Sequence, residues 1–482
     1  MTSSGNSFCA IVFDIGDVLF SWSSRTNTAI SPGTLKKFLS SLTWFDYERG
    51  RITQERCYER IGEEFSFQPL EIRLAFEQAL GSLECNHDLV NFIRELKTHC
   101  NESLKVFAMS NISLPDYTVL RTKPADWNIF EDIFISGVVG ERKPDLAFYR
   151  HVLCETGIDP HRTVFVDDKL DNVLSARSLG FHGIVFESAD AVKRALKNVF
   201  GDPVQRGHQF LGNNAGRLFS VIENGVEIRE NFAQLLILEA TSDRSLVNLV
   251  NHERAWNFFQ GQSTLTTEEF PFDLDTTSLA LTVTKPDSML VHSIINEMLE
   301  YVNKDGIIQT YFDHGRPRFD PVVCVNILTV FFFHGRGQEL HKTRDWVYEV
   351  LLNRAYLDGT RYYLTGECFL FFLMRLLQQS GDSGLNSLFK PVLKERVQEG
   401  IGKPGDALAL AMRILICQYV GIGNEVDLRT LLSMQCEDGG WEVGWIYRYG
   451  SSGMKIGNRG LATALAINAI DCNRHSRNEH ED

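Results

Sequence analysis

The sequence predicts a parallel α/β domain followed by an all-α domain, and three observations support this. From Cys9 to about Phe200, short apolar runs that end in Asp, Ser or Asn alternate with helical patterns, as in parallel sheets with crossover helices. After Gly201-Asp202-Pro203, long helical segments dominate and strand-like runs almost disappear. A chain of 482 residues also exceeds the size of one hydrophobic core. We therefore expect two domains, at residues 1–205 and 206–482.

The first domain is predicted from its strands. Five apolar runs indicate buried strands, namely CAIVFD, KVFAMSN, DIFISG, TVFVDD and GIVFE. Between the first two runs, amphipathic helical segments such as LEIRLAFEQAL break the alternation. We expect this stretch, at about residues 20–100, to be a helical insertion that caps the functional edge of the sheet.

The second domain is predicted from helices that are apolar on nearly every side. Such helices are buried on all faces of a large core. The segments with this pattern are PVVCVNILTVFFFHG, YYLTGECFLFFLMRLLQQ, GDALALAMRILICQYVG and NRGLATALAINAID. We expect them to be the inner helices of a double-layered α/α barrel.

Composition and charge limit the partners of the chain. The balance of 48 basic and 62 acidic residues gives a net charge of -14, which disfavours a nucleic-acid partner. The N-terminal segment lacks the basic start of a signal peptide, and Asp14 and Asp17 interrupt its apolar run. The apolar stretch from Pro321 to His334 is shorter than the roughly 20 residues of a membrane span. We expect a cytoplasmic protein without stable membrane insertion, and its oligomeric state stays open.

Reactive side chains follow four of the predicted strands. They are Asp14, Ser110, Lys143 in the segment GERKPD, and the pair Asp167 and Asp168. Parallel sheets gather the carboxyl ends of their strands at one edge, so these groups are expected to meet. A nucleophilic carboxylate, groups that hold phosphate oxygens and acids that hold magnesium are the set that phosphoryl transfer requires.

The order of these motifs, FDIGD, SN, KP and VDDKLDN, resembles the haloacid dehalogenase-like superfamily over residues 9–200. The resemblance implies that Asp14 is the nucleophile and that Ser110, Asn111 and Lys143 bind phosphate. It also implies a Mg²⁺ ion, held by Asp14, Asp167, Asp168 and the carbonyl group of Gly16.

One position departs from this pattern. Most phosphatases of the superfamily carry a general acid two residues after the nucleophile, where this chain has Gly16. A diphosphate ester has a leaving group of low basicity and depends less on that acid. A retained phosphatase activity and an inactive domain both remain possible.

The second domain carries an acid pair in the segment Asp273-Leu274-Asp275-Thr276-Thr277. Protonation of an alkene requires a strong acid, which forms when hydrogen bonds stabilise the anion and apolar walls exclude water. An ordinary helix N-cap is the alternative interpretation. The pattern resembles the acid motif of class II terpene cyclases, which implies that Asp275 is the general acid and Asp273 orients it. Thr276 and Thr277 then support the pair.

A second segment of the helical domain, QCEDGGW at residues 435–441, resembles the QxxDGGW motif of the same cyclases. The resemblance implies structural roles for Gln435 and Trp441, in which the amide and the indole bond the ends of outer barrel helices.

Two basic clusters can bind a diphosphate, because arginine donates two parallel hydrogen bonds to phosphate oxygens. One contains Arg316 and Arg318, and the other contains Arg448, Lys455 and Arg459. The glycines around Lys455 would let a loop approach phosphate closely. Solvated surface charge is the alternative for each of these residues.

The fusion of the two domains is similar to the drimane-type sesquiterpene synthases over nearly the whole chain. The resemblance implies that farnesyl diphosphate is cyclised by protonation to a drimenyl or albicanyl diphosphate. The first domain then hydrolyses the diphosphate, which gives drimenol or albicanol. One alternative is a cyclase whose first domain is inactive and which releases the diphosphate. Another is a phosphatase with a non-catalytic helical interaction domain.

Overall fold

The protein is described from a computed structural model that covers residues 8–100 and 103–478, with side chains described to residue 474. The chain divides into two compact units, Met1–Gly201 and Asp202–Asp482, which we call the N-terminal unit and the C-terminal unit. The boundary expected after residue 205 falls inside the first helix of the C-terminal unit, Pro203–Asn213. That helix begins at Pro203 because the Asp202 side chain accepts a hydrogen bond from Val204 N and proline suits the first helical position.

The N-terminal unit is built on a parallel sheet. Its strands in chain order are β1 (Ala10–Phe13), β2 (Phe20–Ser21), β3 (Glu84–Cys85), β4 (Lys105–Ser110), β5 (Asp132–Ile135), β6 (Thr163–Asp167) and β7 (His182–Val185). Within the described residues, β5-β4-β1-β6-β7 form a five-stranded parallel sheet, while β2 and β3 form a small antiparallel pair. The five predicted apolar runs are the five strands of this sheet, so the predicted fold class is confirmed.

Helices surround this sheet and also form the insertion. They are α1 (Pro32–Leu39), α2 (Leu42–Glu48), α3 (Gln54–Phe65), α4 (Pro69–Gly81), α5 (His87–His99), α6 (Leu114–Leu120), α7 (Ser136–Val139), α8 (Leu146–Thr156), α9 (Leu170–Ser178) and α10 (Ala189–Phe200), with short 3-10 turns at Trp127–Ile129 and Pro160–Arg162. Helices α1 to α4 share a hydrophobic core of their own, which we call the cap. Helix α5 instead packs with Ile11 and Val106 of the sheet, so the cap ends before the predicted residue 100.

The C-terminal unit is mostly helical. Its helices are α11 (Pro203–Asn213), α12 (Asn231–Thr241), α13 (Leu274–Thr284), α14 (Ser288–Met298), α15 (Pro321–Phe333), α16 (His341–Leu352), α17 (Gly366–Ser380), α18 (Ser383–Gln398), α19 (Ala407–Tyr419), α20 (Glu425–Ser433) and α21 (Arg459–Asn478), with 3-10 turns at Arg244–Leu246, Leu299–Tyr301 and Gly337–Leu340. In the part of the chain that is described, α12, α13, α15, α17, α19 and α21 pack in a closed ring.

The inner ring explains the apolar segments of the sequence. Helix α15 is buried from Val322 to Phe332, because it packs between two ring neighbours and the outer helix α16. The outer helices α11, α18 and α20 pack against the ring in the same way. No helix within the described residues has the length and apolarity needed to cross a membrane.

A small antiparallel sheet in the C-terminal unit was not expected. Its strands are β8 (Ser220–Ile222), β9 (Glu227–Ile228), β10 (Gly444–Arg448) and β11 (Lys455–Asn458), in the order β10-β11-β8-β9. Lys455 therefore begins a strand rather than lying in a phosphate-binding loop. Two of the nearby glycines serve close packing, since a Cβ atom at Gly457 would lie 2.5 Å from Val443 and one at Gly460 would lie 2.8 Å from Leu218.

Two candidate active sites

The first candidate site lies at the carboxyl edge of the parallel sheet. Strand β1 is central, with β4 on one side and β6 on the other. Asp14 directly follows β1, Ser110 ends β4 and Asp167 ends β6. The topology therefore brings together side chains that are separated by up to 153 positions in the sequence, and all three are buried.

Lys143 links the acids of this site. Its side chain is 1% exposed, and its Nζ atom lies 2.9 Å from Asp14 Oδ1 and 2.6 Å from Asp167 Oδ2. Asn111 holds the lysine backbone from both sides, because its Nδ2 donates to Lys143 O and its Oδ1 accepts from Lys143 N. Asn172 donates to Asp167 Oδ1 at 2.9 Å. Burial raises the pKa of Asp14 to about 7, and the adjacent Lys143 opposes that rise.

Asp14, Asp167 and Asp168 form a group that can hold a metal ion. Each offers one carboxylate oxygen, and within the described residues these oxygens lie within 4.8 Å of one another. Hard oxygen donors of this kind suit Mg²⁺. Gly16 lies at the same edge of the cavity, and a Cβ atom there would meet no described atom within 4 Å. The missing general acid is therefore not explained by lack of space.

A cavity of about 850 Å³ opens above this site, between the sheet edge and the cap. Asp14, Ser110, Asn111, Lys143 and Asp168 all line it. The structure therefore brings the predicted nucleophile, phosphate-binding residues and metal ligands to one cavity, apart from the fully enclosed Asp167 beneath it.

The second candidate site is at the start of α13. Asp273 is the N-cap residue, and its Oδ1 accepts a hydrogen bond from Thr276 N at 2.5 Å. Thr277 Oγ1 donates to Asp273 O at 2.7 Å and accepts from Trp256 N at 2.8 Å. The N-cap interpretation and the acid interpretation therefore both apply: Asp273 caps the helix, which fixes Asp275 in its first turn.

Asp275 is held by two uncharged donors. Asn326 Nδ2 donates to its Oδ1 at 2.8 Å, and the Tyr363 hydroxyl donates to its Oδ2 at 2.6 Å. Burial raises the pKa of Asp275 to about 7, against the lowering effect of these two hydrogen bonds. Burial and the proximity of Asp275 raise the pKa of Asp273 to about 8. Burial therefore favours the protonated form of both carboxyl groups, which is the state that an acid catalyst needs.

Neither Asn326 nor Tyr363 was predicted from the sequence. Asn326 did leave a signal, because it is a polar side chain in the middle of the apolar run PVVCVNILTVFFF. A fully buried amide requires a polar partner, and that partner is Asp275. Tyr363 lies in an irregular segment before α17 and left no comparable signal.

Asp273, Asp275 and Thr276 line a cavity of about 400 Å³. Its aromatic wall consists of Phe232, Phe258, Phe259, Phe270, Tyr311, Tyr362, Tyr363, Tyr447 and Tyr449. Aromatic ring faces carry a negative potential that stabilises cations. The cavity therefore combines a carboxyl group that can carry a proton with walls suited to a carbocation.

The cavity is also lined by arginines. Arg316, Arg318 and Arg448 belong to the predicted basic clusters, whereas Arg361 was not predicted. Arg448 donates to Thr360 O, and Arg316 Nε lies 3.3 Å from Asp313.

Two predicted phosphate-binding residues are placed elsewhere. Among the described residues, neither Lys455 nor Arg459 lines this cavity. Arg459 forms an ion pair with Asp438 at 2.8 Å and donates to Trp441 O at 2.9 Å. The exposed Lys455 begins β11.

Gln435 and Trp441 lie between helix ends. The indole of Trp441 is 0% exposed and donates from Nε1 to Leu431 O in the last turn of α20. Gln435 Nε2 donates to Pro203 O at the start of α11 and to Gly439 O, both at 2.8 Å. The segment 435–441 thus joins two outer helices.

Comparison with known proteins gives the family. Residues 204–334 match the family model described as "Sesquiterpene cyclase astC-like C-terminal domain". The chain is 47% identical over 461 residues to drimenol cyclase drtB of Aspergillus calidoustus, an alignment that covers 96% of this chain and 87% of that protein. The chain belongs to the drimenol cyclase family.

Two further proteins similar to this drimenol cyclase family member are named as a phosphatase and a hydrolase. The chain is 37% identical over 194 residues to sesquiterpene phosphatase astK of Aspergillus oryzae, which covers 40% of this chain and 97% of that protein. It is also similar to a HAD-like family hydrolase from Porphyromonas gingivalis, with 25% identity, a TM-score of 0.34 and coverage of 39% of this chain and 98% of the other. The predicted resemblance to the drimane-type sesquiterpene synthases is confirmed, and the chain is an enzyme.

Proposed function

We propose that this enzyme converts farnesyl diphosphate into a drimane-type bicyclic alcohol in two steps. The C-terminal unit cyclises the substrate by protonation, and the N-terminal unit hydrolyses the diphosphate of the bicyclic product to drimenol or albicanol. The observation that carries the proposal is the position of Asp275, a buried acid between two neutral donors on the wall of an aromatic cavity lined by arginines. The similarity to drimenol cyclase drtB supports the substrate.

In the cyclisation step, Asp275 transfers its proton to the distal alkene of the substrate. A new C–H bond forms, two further alkenes close two C–C bonds, and water takes a neighbouring proton, which leaves a new alkene. One proton enters and one leaves, so the step is an isomerisation. The Asp275 anion is stabilised by Tyr363 and Asn326, whose hydrogen bonds strengthen as negative charge develops. A protonated Asp273 avoids a second negative charge beside it.

The arginines hold the diphosphate, which this step leaves intact. Arg316, Arg318, Arg361 and Arg448 supply guanidinium groups, which bind phosphate oxygens in pairs. The geometry does not support phosphate binding by Lys455 or Arg459. We assign Gln435 and Trp441 to the stability of the barrel, because they bond helix ends.

In the hydrolysis step, Asp14 attacks the terminal phosphorus, the P–O–P bond breaks and the bicyclic monophosphate leaves, after which water cleaves the phosphoryl group from the Asp14 carboxylate. A second round on the monophosphate breaks its P–O bond and releases the alcohol, so two phosphates are formed in total. Lys143 and Ser110 bind the phosphate oxygens beside Asp14, and Asn111 positions Lys143. Asp14, Asp167, Asp168 and the Gly16 carbonyl would hold Mg²⁺, which offsets the charge of the phosphate when bound.

Product analysis tests both steps. The purified chain is incubated with farnesyl diphosphate and Mg²⁺, and products are extracted before and after treatment with alkaline phosphatase. A bicyclic alcohol before that treatment is expected. If the alcohol appears only afterwards, the N-terminal unit is inactive toward this product. If no bicyclic compound appears in either sample, the cyclase proposal is wrong.

A further inference from the structure

The C-terminal unit has a second cavity, of about 390 Å³, which neither proposed reaction step uses. Among the described residues, its lining comes from helices α12, α17, α19 and α21. Three of these helices contribute residues of their last turns, such as Glu239 in α12, Gln379 in α17 and Gln418 in α19. The acid cavity instead receives Phe232 from the first turn of α12, so the two cavities lie toward opposite ends of that helix. We call the second one the far cavity.

Much of the wall of the far cavity is apolar. Its four helices contribute six large apolar side chains, namely Leu236, Phe371, Met374, Leu415, Leu461 and Leu465. Cavities that bind small organic molecules combine such a wall with a few polar groups that fix the orientation of the ligand, and they have volumes of about 300–1,000 Å³. The far cavity therefore has the size and the lining of a small-molecule site.

The polar part of the far cavity is an ion pair. Arg375 Nε lies 2.7 Å from Glu239 Oε2, and Gln379 Nε2 donates to Glu239 Oε1 at 2.6 Å. Arg375 Nη2 also donates to Thr282 Oγ1 at 2.6 Å, which holds the pair in place before any ligand binds. The Arg375 side chain is 4% exposed and that of Glu239 is 26% exposed, so the carboxylate is the part of the pair that a ligand can reach. Since a carboxylate has about four acceptor positions, Glu239 can accept a further hydrogen bond from a hydroxyl group.

The charges around the far cavity disfavour an anion. Glu239 and Arg375 are the acidic and basic side chains among its described lining residues, and their charges cancel. Helices α12, α17 and α19 end at the cavity, so the negative ends of three helix dipoles add to the reachable carboxylate. A diphosphate would be repelled here, whereas a neutral hydroxyl group would donate to Glu239.

We propose that the far cavity is a second, non-catalytic binding site for a neutral and mostly apolar alcohol, and that its occupant is the bicyclic alcohol formed by this enzyme. That alcohol has one hydroxyl group on a hydrocarbon skeleton, which matches one reachable carboxylate in an apolar wall. The site thereby distinguishes the neutral product from the charged substrate and intermediate. The inference takes from the proposed function only the identity of the alcohol.

Cys472 can report occupancy of the far cavity, because it lines the cavity and is half-buried. The full chain is alkylated with iodoacetamide in the absence of substrate, and peptide mass spectrometry follows Cys472 together with Cys154, which is exposed in the N-terminal unit. Because a bound ligand excludes the reagent, we expect saturating drimenol to slow alkylation of Cys472 about fivefold or more. The carboxylic acid with the same bicyclic skeleton should leave the rate unchanged, and neither compound should affect Cys154.

Two results of this experiment would overturn the inference. One is an equal rate of Cys472 alkylation with and without drimenol, and the other is equal protection by drimenol and by the acid. The measurement requires no turnover, so either result would leave the proposed function in place.

Two variants locate the protection in the far cavity. Ala240 lines the cavity and is half-buried, so Ala240→Phe fills part of the space that the skeleton would take. Thr241→Phe is the matched control, since Thr241 is the next residue of α12 and lies outside the described lining. We expect drimenol to protect Cys472 as in the wild type in Thr241→Phe, and less than about 1.5-fold in Ala240→Phe. Full protection in Ala240→Phe, with folding checked by thermal melting, would overturn the inference.

A third variant tests the selection by charge. Glu239→Gln keeps an acceptor for the hydroxyl group but removes the negative charge, so Arg375 is no longer neutralised. We expect the bicyclic acid to protect Cys472 in this variant about threefold or more, in contrast to the wild type. Continued exclusion of the acid from the folded variant would overturn the role of Glu239 in selecting a neutral ligand.

Discussion

The two sites of this enzyme use buried aspartates in opposite ways. In the N-terminal unit, Asp14 lies 2.9 Å from the ammonium group of Lys143. In the C-terminal unit, Asp275 is held by the neutral hydroxyl of Tyr363 and the neutral amide of Asn326. Burial raises the pKa of both carboxyl groups, but only Asp14 has a cation in contact to compensate a standing negative charge. In the proposed function, the partner rather than the residue type makes one aspartate a nucleophile and the other an acid.

Replacement of Asp275 is expected to affect the reaction most strongly. Asp275→Asn keeps the shape of the side chain but removes its transferable proton, so we expect cyclisation to fall by about a thousandfold or more. Hydrolysis of added farnesyl monophosphate should remain, and an unchanged thermal melting curve shows that the variant is folded. The measurement is gas chromatography of the products. Wild-type cyclisation by this variant would remove Asp275 from the role of general acid.

The equivalent substitution in the N-terminal unit should stop hydrolysis and leave cyclisation intact. Asp14→Asn removes the nucleophile, and we expect phosphate release to fall by about a thousandfold or more. The bicyclic diphosphate should then accumulate, since the acid site is unchanged. Mass spectrometry of the unextracted reaction detects it directly. Alcohol release at the wild-type rate would exclude the covalent role of Asp14.

Removal of one neutral donor tests how these hydrogen bonds contribute to cyclisation, with a smaller expected effect. Tyr363→Phe removes a hydrogen bond to a developing anion, which contributes about 1.5–3 kcal/mol, so cyclisation should slow by about 10- to 100-fold.

The pH profile separates this role from a structural one. Cyclisation requires protonated Asp275, whose pKa is about 7, so the wild-type rate should fall as pH rises through that value. Tyr363 lowers this pKa, and its removal should therefore move the falling limb to higher pH. An unshifted limb in Tyr363→Phe would mean that the tyrosine does not act on Asp275.

Two arginines provide a matched pair of variants, which differ in their expected effect on KM. Arg361 lines the cyclase cavity, whereas Arg459 is paired with Asp438 outside it. We expect Arg361→Gln to raise KM for farnesyl diphosphate about tenfold, as loss of one charged hydrogen-bond donor predicts. Arg459→Gln should leave KM unchanged. Equal effects on KM would restore Arg459 as a phosphate-binding residue.

The smallest expected effect concerns stability alone. Trp441→Phe keeps most of the buried ring but removes the hydrogen bond to Leu431 O, which contributes about 1 kcal/mol. Thermal melting should show a modest decrease in Tm, with cyclisation nearly unchanged. A large loss of kcat in a fully folded variant would instead connect Trp441 to the reaction.

Much of this architecture could be predicted from short stretches of the sequence. Each strand of the parallel sheet is a continuous apolar run, and Asp14 and Asp167 follow or end such runs, so their meeting at one edge follows from parallel topology. The short strands β8 and β9 have three and two residues and carry too little pattern to predict. They are recognisable only through pairing, since β8 pairs with β11, more than 200 positions away, and β9 pairs with β8.

The two-part fold, the acid pair and the candidate hydrolytic residues could be predicted from the sequence alone, because each lies in neighbouring residues or at the ends of strands. The surroundings of the acid depend on the tertiary fold. Asn326 and Tyr363 are 51 and 88 positions from Asp275, and they meet it because the barrel closes around the start of α13. Hydrogen bonds depend on distance in space, and a single sequence records distance only along the chain.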